Sequence, residues 1–168
     1  MIIDLLPVMT ADGREIPVNA EVDFSERKEN QVSFFKPAKV EGKILNIGGQ
    51  LEFTGYIDID VKFMCDRCGE WFEDNLKIEF SEILKKEMDK INEGDENPDI
   101  IFYEGSRLDI SDIIYNNVYM NFPTKMLCKA DCKGLCSHCG KNLNLSECAC
   151  KDDETDPRFD ILDSLFKE

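Results

Sequence analysis

In "IPVNAEVDF" apolar and polar residues alternate, the period of a half-buried strand. The arms of "KILNIGGQLEFTGYIDIDVKF" repeat that alternation on either side of Gly48-Gly49, a dipeptide suited to a tight hairpin turn. Phe53, Ile57, Ile59, Val61 and Phe63 fall on one face of the second arm, and "WFEDNLKIEF" resumes with Phe72, Leu76, Ile78 and Phe80. These segments predict an antiparallel meander or a partly closed barrel. From Ser81 the pattern turns helical or irregular, "KINEGDENPD" reads as a polar acidic loop, and "IIFY" is a short strand candidate. "LDISDIIYNNVYMNFP" predicts a helix. Asp109 can cap its first turn, Ile110, Ile113, Ile114 and Val118 share a core-facing side, and Pro123 ends it. A second short helix is expected from Asp156-Pro157, carrying Phe159, Ile161, Leu162, Leu165 and Phe166. The expected fold is α+β: a β-rich domain with a terminal helix over 1–123, then a cysteine-rich, zinc-ribbon-like module with a C-terminal helix over 124–168.

Composition changes this picture in two ways. A chain of 168 residues that is 42% hydrophobic can bury a core without covalent staples, so its eight cysteines need another explanation. The start "MIIDLLPVMTADGREIPV" lacks the features of a secretory signal, and no window approaches the ~18 apolar residues of a membrane span. The expected location is the cytoplasm, where thiols stay reduced and paired cysteines point to metal or redox chemistry. Charge is the other change. With 35 acidic residues against 20 basic ones, the net charge is −15, which repels a phosphate backbone on average and attracts a basic protein.

All eight cysteines form close pairs: Cys65/Cys68, Cys128/Cys132, Cys136/Cys139 and Cys148/Cys150. Zinc takes four soft ligands in a tetrahedron, and two tight pairs supply them. In "CSHCGKNLN", Gly140 can adopt positive φ after Cys139 and let backbone N–H groups point at sulfur, as in a zinc knuckle. Only eight residues separate Cys139 from Cys148, so closing that loop costs little entropy. Cys136, Cys139, Cys148 and Cys150 are therefore assigned to one site. By elimination Cys65 and Cys68 meet Cys128 and Cys132 in a second, which would tie the module to the β domain. An interleaved pairing, or one zinc with the remaining thiols free, stays open. Dithiol redox chemistry is the weaker alternative, because Cys65 lies between two strands, with no helix N-terminus to lower a thiol pKa.

His138, the only histidine, reads as an exposed turn residue, and Trp71 as a residue packing the strand or the metal turn. No GxxxxGK[ST], HExxH or GxSxG motif occurs. The expectation is a non-enzymatic protein with structural zinc and no small-molecule or membrane partner.

The segments "CDRCGEWF", "LDISDIIYNNVYMNFP", "GLCSHCGKNLN" and "CACKDDETDPRFDILDSL", in this order from about Cys65 to the end, resemble the bacterial YceD-like family. That resemblance implies a role in accumulation of the large-subunit (23S) ribosomal RNA, in bacteria or plastids, without catalysis. Charge sharpens it. Residues 124–150 hold Lys125, Lys129, Lys133 and Lys141 against Asp131 and Glu147, a formal +2. A tetrathiolate with Zn²⁺ contributes −2, and two such sites take the chain from −15 to about −19. The favoured partner is thus a basic ribosomal protein or assembly factor. Direct rRNA binding through those four lysines, with Arg158 nearby in sequence, is the runner-up.

Overall fold

The computed structural model describes residues 1–27, 29–86 and 100–150. Its frame is a six-stranded open sheet formed by β2 (Glu15–Val22), β3 (Val32–Phe34), β4 (Ala38–Ile47), β5 (Gln50–Met64), β6 (Trp71–Lys86) and β7 (Ile100–Tyr103). The main path runs β2-β4-β5-β6-β7, with β3 paired to β5 beyond the end of β4. A second, two-stranded sheet pairs β1 (Ile2–Asp4) with β8 (Arg107–Asp109). Two helices complete the described residues, the single turn α1 (Leu6–Met9) and α2 (Ser111–Met120).

The β4–β5 hairpin turns at Gly48-Gly49, where both residues take positive φ, 60° and 91°, as a two-residue turn between twisted strands requires. β5 and β6 then pair over fourteen residues each, from Leu51 opposite Leu84 to Met64 opposite Trp71. Alternation along β5 buries Leu51, Phe53, Ile57, Ile59, Val61 and Phe63. They pack with Val40 and Ile44 of β4, Ile78 and Phe80 of β6, and Ile113, Ile114 and Val118 of α2. Each fully buried side chain of this size contributes roughly 1.5–3 kcal/mol.

Three expectations change. The sheet is open and mixed, because β7 joins β6 in parallel (Ile83 opposite Ile100), so it is not a closed barrel. The segment from Ser81 to Lys86 continues β6 in the same register. Glu82 turns to the helix side there and accepts from Asn117 Nδ2 at 2.5 Å, which gives a core-side carboxylate a partner. Trp71, expected to pack the strand or the metal turn, sits opposite Met64 at the start of β6 and is 48% exposed. The helix expected from "LDISDIIYNNVYMNFP" forms over a shorter span, since Arg107–Asp109 are taken by β8. Asp109 still serves the first turn, its carboxylate accepting the Ser111 N–H at 2.9 Å. The expected acidic loop at 90–99 falls outside the described residues, which resume at Ile100. The helix expected from Asp156-Pro157 lies outside them as well.

Candidate metal centres

The β5–β6 connection carries Cys65 and Cys68, and a backbone pattern holds it. The Cys65 N–H donates to Glu70 O at 2.9 Å and the Gly69 N–H to Cys65 O at 2.9 Å, with Gly69 at φ 70°. The turn at Cys136 and Cys139 repeats it. There the Cys136 N–H donates to Lys141 O at 2.8 Å and the Gly140 N–H to Cys136 O at 2.9 Å, with Gly140 also at φ 70°. Both stretches read Cys-x-x-Cys-Gly, and glycine enters the left-handed region without strain. Two copies of one knuckle sit on different parts of the fold.

Each knuckle faces a second cysteine pair. Cys65, Cys68, Cys128 and Cys132 form one group, and Cys136, Cys139, Cys148 and Cys150 the other, with the sulfurs of each group within 4.8 Å of one another. All eight thiols are free. Four sulfurs at ~2.3 Å from a zinc ion stand ~3.8 Å apart along the tetrahedron's edges, far beyond the ~2.05 Å of a disulfide. Cys65 lies 3.8 Å from Cys132, and Cys68 lies 3.8 Å from Cys128. In the second group Cys148 lies 3.4 Å from both Cys136 and Cys139, slightly tighter than the ideal edge. Spacing and donor chemistry fit a four-coordinate soft metal ion in both places.

Backbone N–H groups aim at specific sulfurs. Burial pushes the Cys65 thiol up, but N–H bonds from Cys128, Cys68 and Arg67 outweigh it and bring the pKa down to about 6. Cys136 is drawn down to about 6 by the N–H groups of Cys139 and His138, helped by the Cys148 thiol. Cys128 is pushed up to about 12 by burial and by the neighbouring thiols, and Cys150 up to about 12 by Cys148 and Cys139. Four thiolates cannot crowd together unaided; a divalent cation at the centre would supply the missing positive charge.

The first group is built from distant chain segments. Asp66 clasps the segment after α2 from both sides: its N–H donates to Met126 O at 2.8 Å, and its carboxylate accepts the Met126 N–H at 2.7 Å. Arg67 Nη1 donates to Cys132 O at 2.9 Å, and the Leu135 N–H donates to Arg67 O at 3.1 Å. Gly134 takes φ 74° against that loop, where a Cβ would come within 3.1 Å of Arg67 O. Phe72 packs on both the main core and the Cys65/Cys68/Cys132 cluster, so the aromatic core runs up to the sulfurs.

Asn144 joins the two groups. It lies between Cys139 and Cys148, yet its Nδ2 donates to Cys132 Sγ at 3.3 Å while its Oδ1 accepts the Lys133 N–H at 2.9 Å. Sequence reasoning passed over Asp66, Arg67, Gly134 and Asn144. Only "CKGLC", with a glycine between two cysteine pairs, hinted at one of them. His138 is exposed in its turn, as expected. Lys125, Lys129, Lys133 and Lys141 are exposed too, with Lys141 Nζ donating to Glu147 O at 3.1 Å, and Arg158 lies outside the described residues.

The chain is thus an open sheet with two four-sulfur centres, one joining the β5–β6 connection to the segment after α2 and one within Cys136–Cys150. The family described as "Large ribosomal RNA subunit accumulation protein YceD" matches residues 53–166, and the chain belongs to it. It is also 27% identical over 158 residues to a protein of Arabidopsis thaliana named "Large ribosomal RNA subunit accumulation protein YCED homolog 1, chloroplastic". That match covers 79% of this chain and 49% of the relative, so the chain spans about half the length of the curated relative it matches. No solved structure matches. No helix among the described residues is long and apolar enough to cross a membrane.

Proposed function

We propose that this chain is a non-enzymatic factor that supports large-subunit ribosomal RNA accumulation by binding a basic ribosomal or assembly protein through its acidic surface. Two zinc ions would serve as structural clamps, one on Cys65, Cys68, Cys128 and Cys132, the other on Cys136, Cys139, Cys148 and Cys150. The observation that carries this reading is the completeness of the two sulfur cages. Four protein ligands fill a tetrahedron and leave no open position for a substrate, so the metal would hold the fold together and not react. Family membership points to ribosomal RNA accumulation, and a net charge of −15 favours a basic protein over the RNA itself. Each CxxC pair faces another cysteine pair, and among the described residues neither opens a helix, which weighs against dithiol exchange.

A second reading, direct rRNA binding, draws on one observation. Lys125, Lys129 and Lys133 are exposed on the module and stand in no ion pair among the described residues. An affinity pull-down at low and high salt, with and without nuclease, separates the two. Salt-sensitive, nuclease-resistant recovery of basic ribosomal proteins is expected, and recovery that vanishes with nuclease would favour the RNA reading. Metal analysis of the purified chain should give two zinc ions per molecule.

A further inference from the structure

One face of the large sheet packs on the core; among the described residues no element covers the other. Cross-strand rows on that open face mostly cancel their charges. Glu21, Lys39, Asp58 and Lys77 lie side by side across β2, β4, β5 and β6 with alternating sign. The next-but-one residues break the pattern. Glu41, Tyr56 and Glu79 are direct neighbours across β4, β5 and β6, so an aromatic ring stands between two carboxylates with no cation in the row. The Glu41 carboxylate has no hydrogen bond or ion pair among the described residues, and that of Glu79 only a long one, accepting the Tyr56 hydroxyl at 3.5 Å. Lys43, the nearest lysine in the following row, is tied to Glu15 at 2.8 Å.

Gly42 and Gly55 lie opposite each other beside this row, pressed so close that a Cβ on either would come within 2.4 Å of the facing backbone. Both glycines fall in the core-side register of Val40, Ile44, Phe53 and Ile57, so the backbones approach closely there, and the open face above them carries a groove of about 680 Å³. Glu41, Thr54, Tyr56, Glu79 and Ser81 line it together with Lys43, whose charge is paired with Glu15, and Tyr56 is 62% exposed. An exposed aromatic ring flanked by two unneutralised carboxylates is a receptor for a guanidinium or ammonium group: the ring attracts the cation and the carboxylates take its N–H donors. A phosphate would meet repulsion from both sides.

We propose that the Glu41–Tyr56–Glu79 row and its groove dock a basic, extended segment of a partner protein, with an Arg or Lys seated on Tyr56. The proposal rests on the basic-partner reading above and gives it a location. The probe is a synthetic peptide of alternating Arg and Thr, titrated onto the full chain by fluorescence anisotropy, with polyuridine as a second probe. Tyr56→Ala should weaken peptide binding about fivefold. Glu41→Gln combined with Glu79→Gln should weaken it about tenfold at low salt, while Glu21→Gln in the balanced row changes it by less than about twofold. Circular dichroism verifies that the variants stay folded, since all three side chains are exposed. Equal binding by wild type and by the row variants overturns this site but leaves the general reading. An absence of salt-sensitive binding to the peptide overturns both. Polyuridine binding that disappears in the same variants would make the occupant RNA and overturn the assignment to a basic protein.

Discussion

The two four-sulfur groups start from the same turn and end in different environments. In the first, Cys65, Cys68 and Cys132 are 2–5% exposed, and its two halves lie 60 or more residues apart in sequence. In the second, Cys139 and Cys150 are exposed, and all four ligands come from the stretch between Cys136 and Cys150. A ligand set that closes a long loop and is lined by core aromatics makes metal binding part of folding the whole chain. A local, exposed set only orders its own hairpin. The same chemistry can therefore hold a fold together in one place and finish a surface feature in another.

The largest test of this contrast is Cys132→Ser. It should remove one zinc and destabilise the chain by about 4 kcal/mol, a loss reserved for a named mechanism such as metal removal. For a chain of this size that lowers Tm by about 10 °C in a thermal melt followed by circular dichroism. Asn144→Ala comes next. Although Asn144 sits in the second group's loop, it should cost the first site about tenfold in zinc affinity by chelator competition, because its N–H bond to Cys132 is lost. If the second site weakens instead, the Asn144 link is wrong. Cys139→Ser should also remove one zinc, but shift Tm by less than about 3 °C, equivalent to about 1 kcal/mol. A shift as large as that of Cys132→Ser would erase the distinction between the centres.

The smallest effect is in pH, where the two centres should look alike. In the zinc-free chain, Cys65 and Cys136 are held at about 6 against an ordinary 9.0. Their thiolates contribute stability that is fully present above pH 9 and lost as pH falls through 6. Cys128 and Cys150, raised to about 12, contribute stability present below pH 9 and lost as pH rises through 12. Stability profiles of zinc-free Cys65→Ser and Cys136→Ser between pH 6 and 9 should therefore superimpose. Divergence would mean that the N–H groups aimed at the two sulfurs are not equivalent.

Much of the fold is legible where neighbours in sequence decide the outcome. Alternation marks β5 because every second residue must face the core, and Gly48-Gly49 marks the hairpin because both positions need positive φ. The knuckle at Cys136 and Cys139 is legible for the same reason, since a Cys-x-x-Cys-Gly turn closes its hydrogen bonds within six residues, whereas Cys65 and Cys68 read only as a pair between two strands. Grouping Cys65 and Cys68 with Cys128 and Cys132 followed from elimination, and the geometry gathers their sulfurs in the same way. The strand from Ser81 to Lys86 was not legible. Its Glu82 looks misplaced until Asn117 of α2 is brought over it. Trp71, read as packing the strand or the metal turn, opens β6 opposite Met64 and stays half exposed there.

By itself, then, the chain's sequence determined the alternating strands from Ile16 to Phe80, the Gly48-Gly49 turn, the separation of cysteines into pairs and the excess of negative charge. Each is a property of composition or of residues a few positions apart. Only the tertiary structure decided that the sheet stays open with β7 parallel to β6. The same holds for the clasp of Asp66 on Met126, the reach of Asn144 from one sulfur group to the other, and the place of Tyr56 between Glu41 and Glu79. These depend on strand register and on which faces are buried together. Register is set by the sum of many weak contacts across the sheet, and no short stretch of sequence contains that sum.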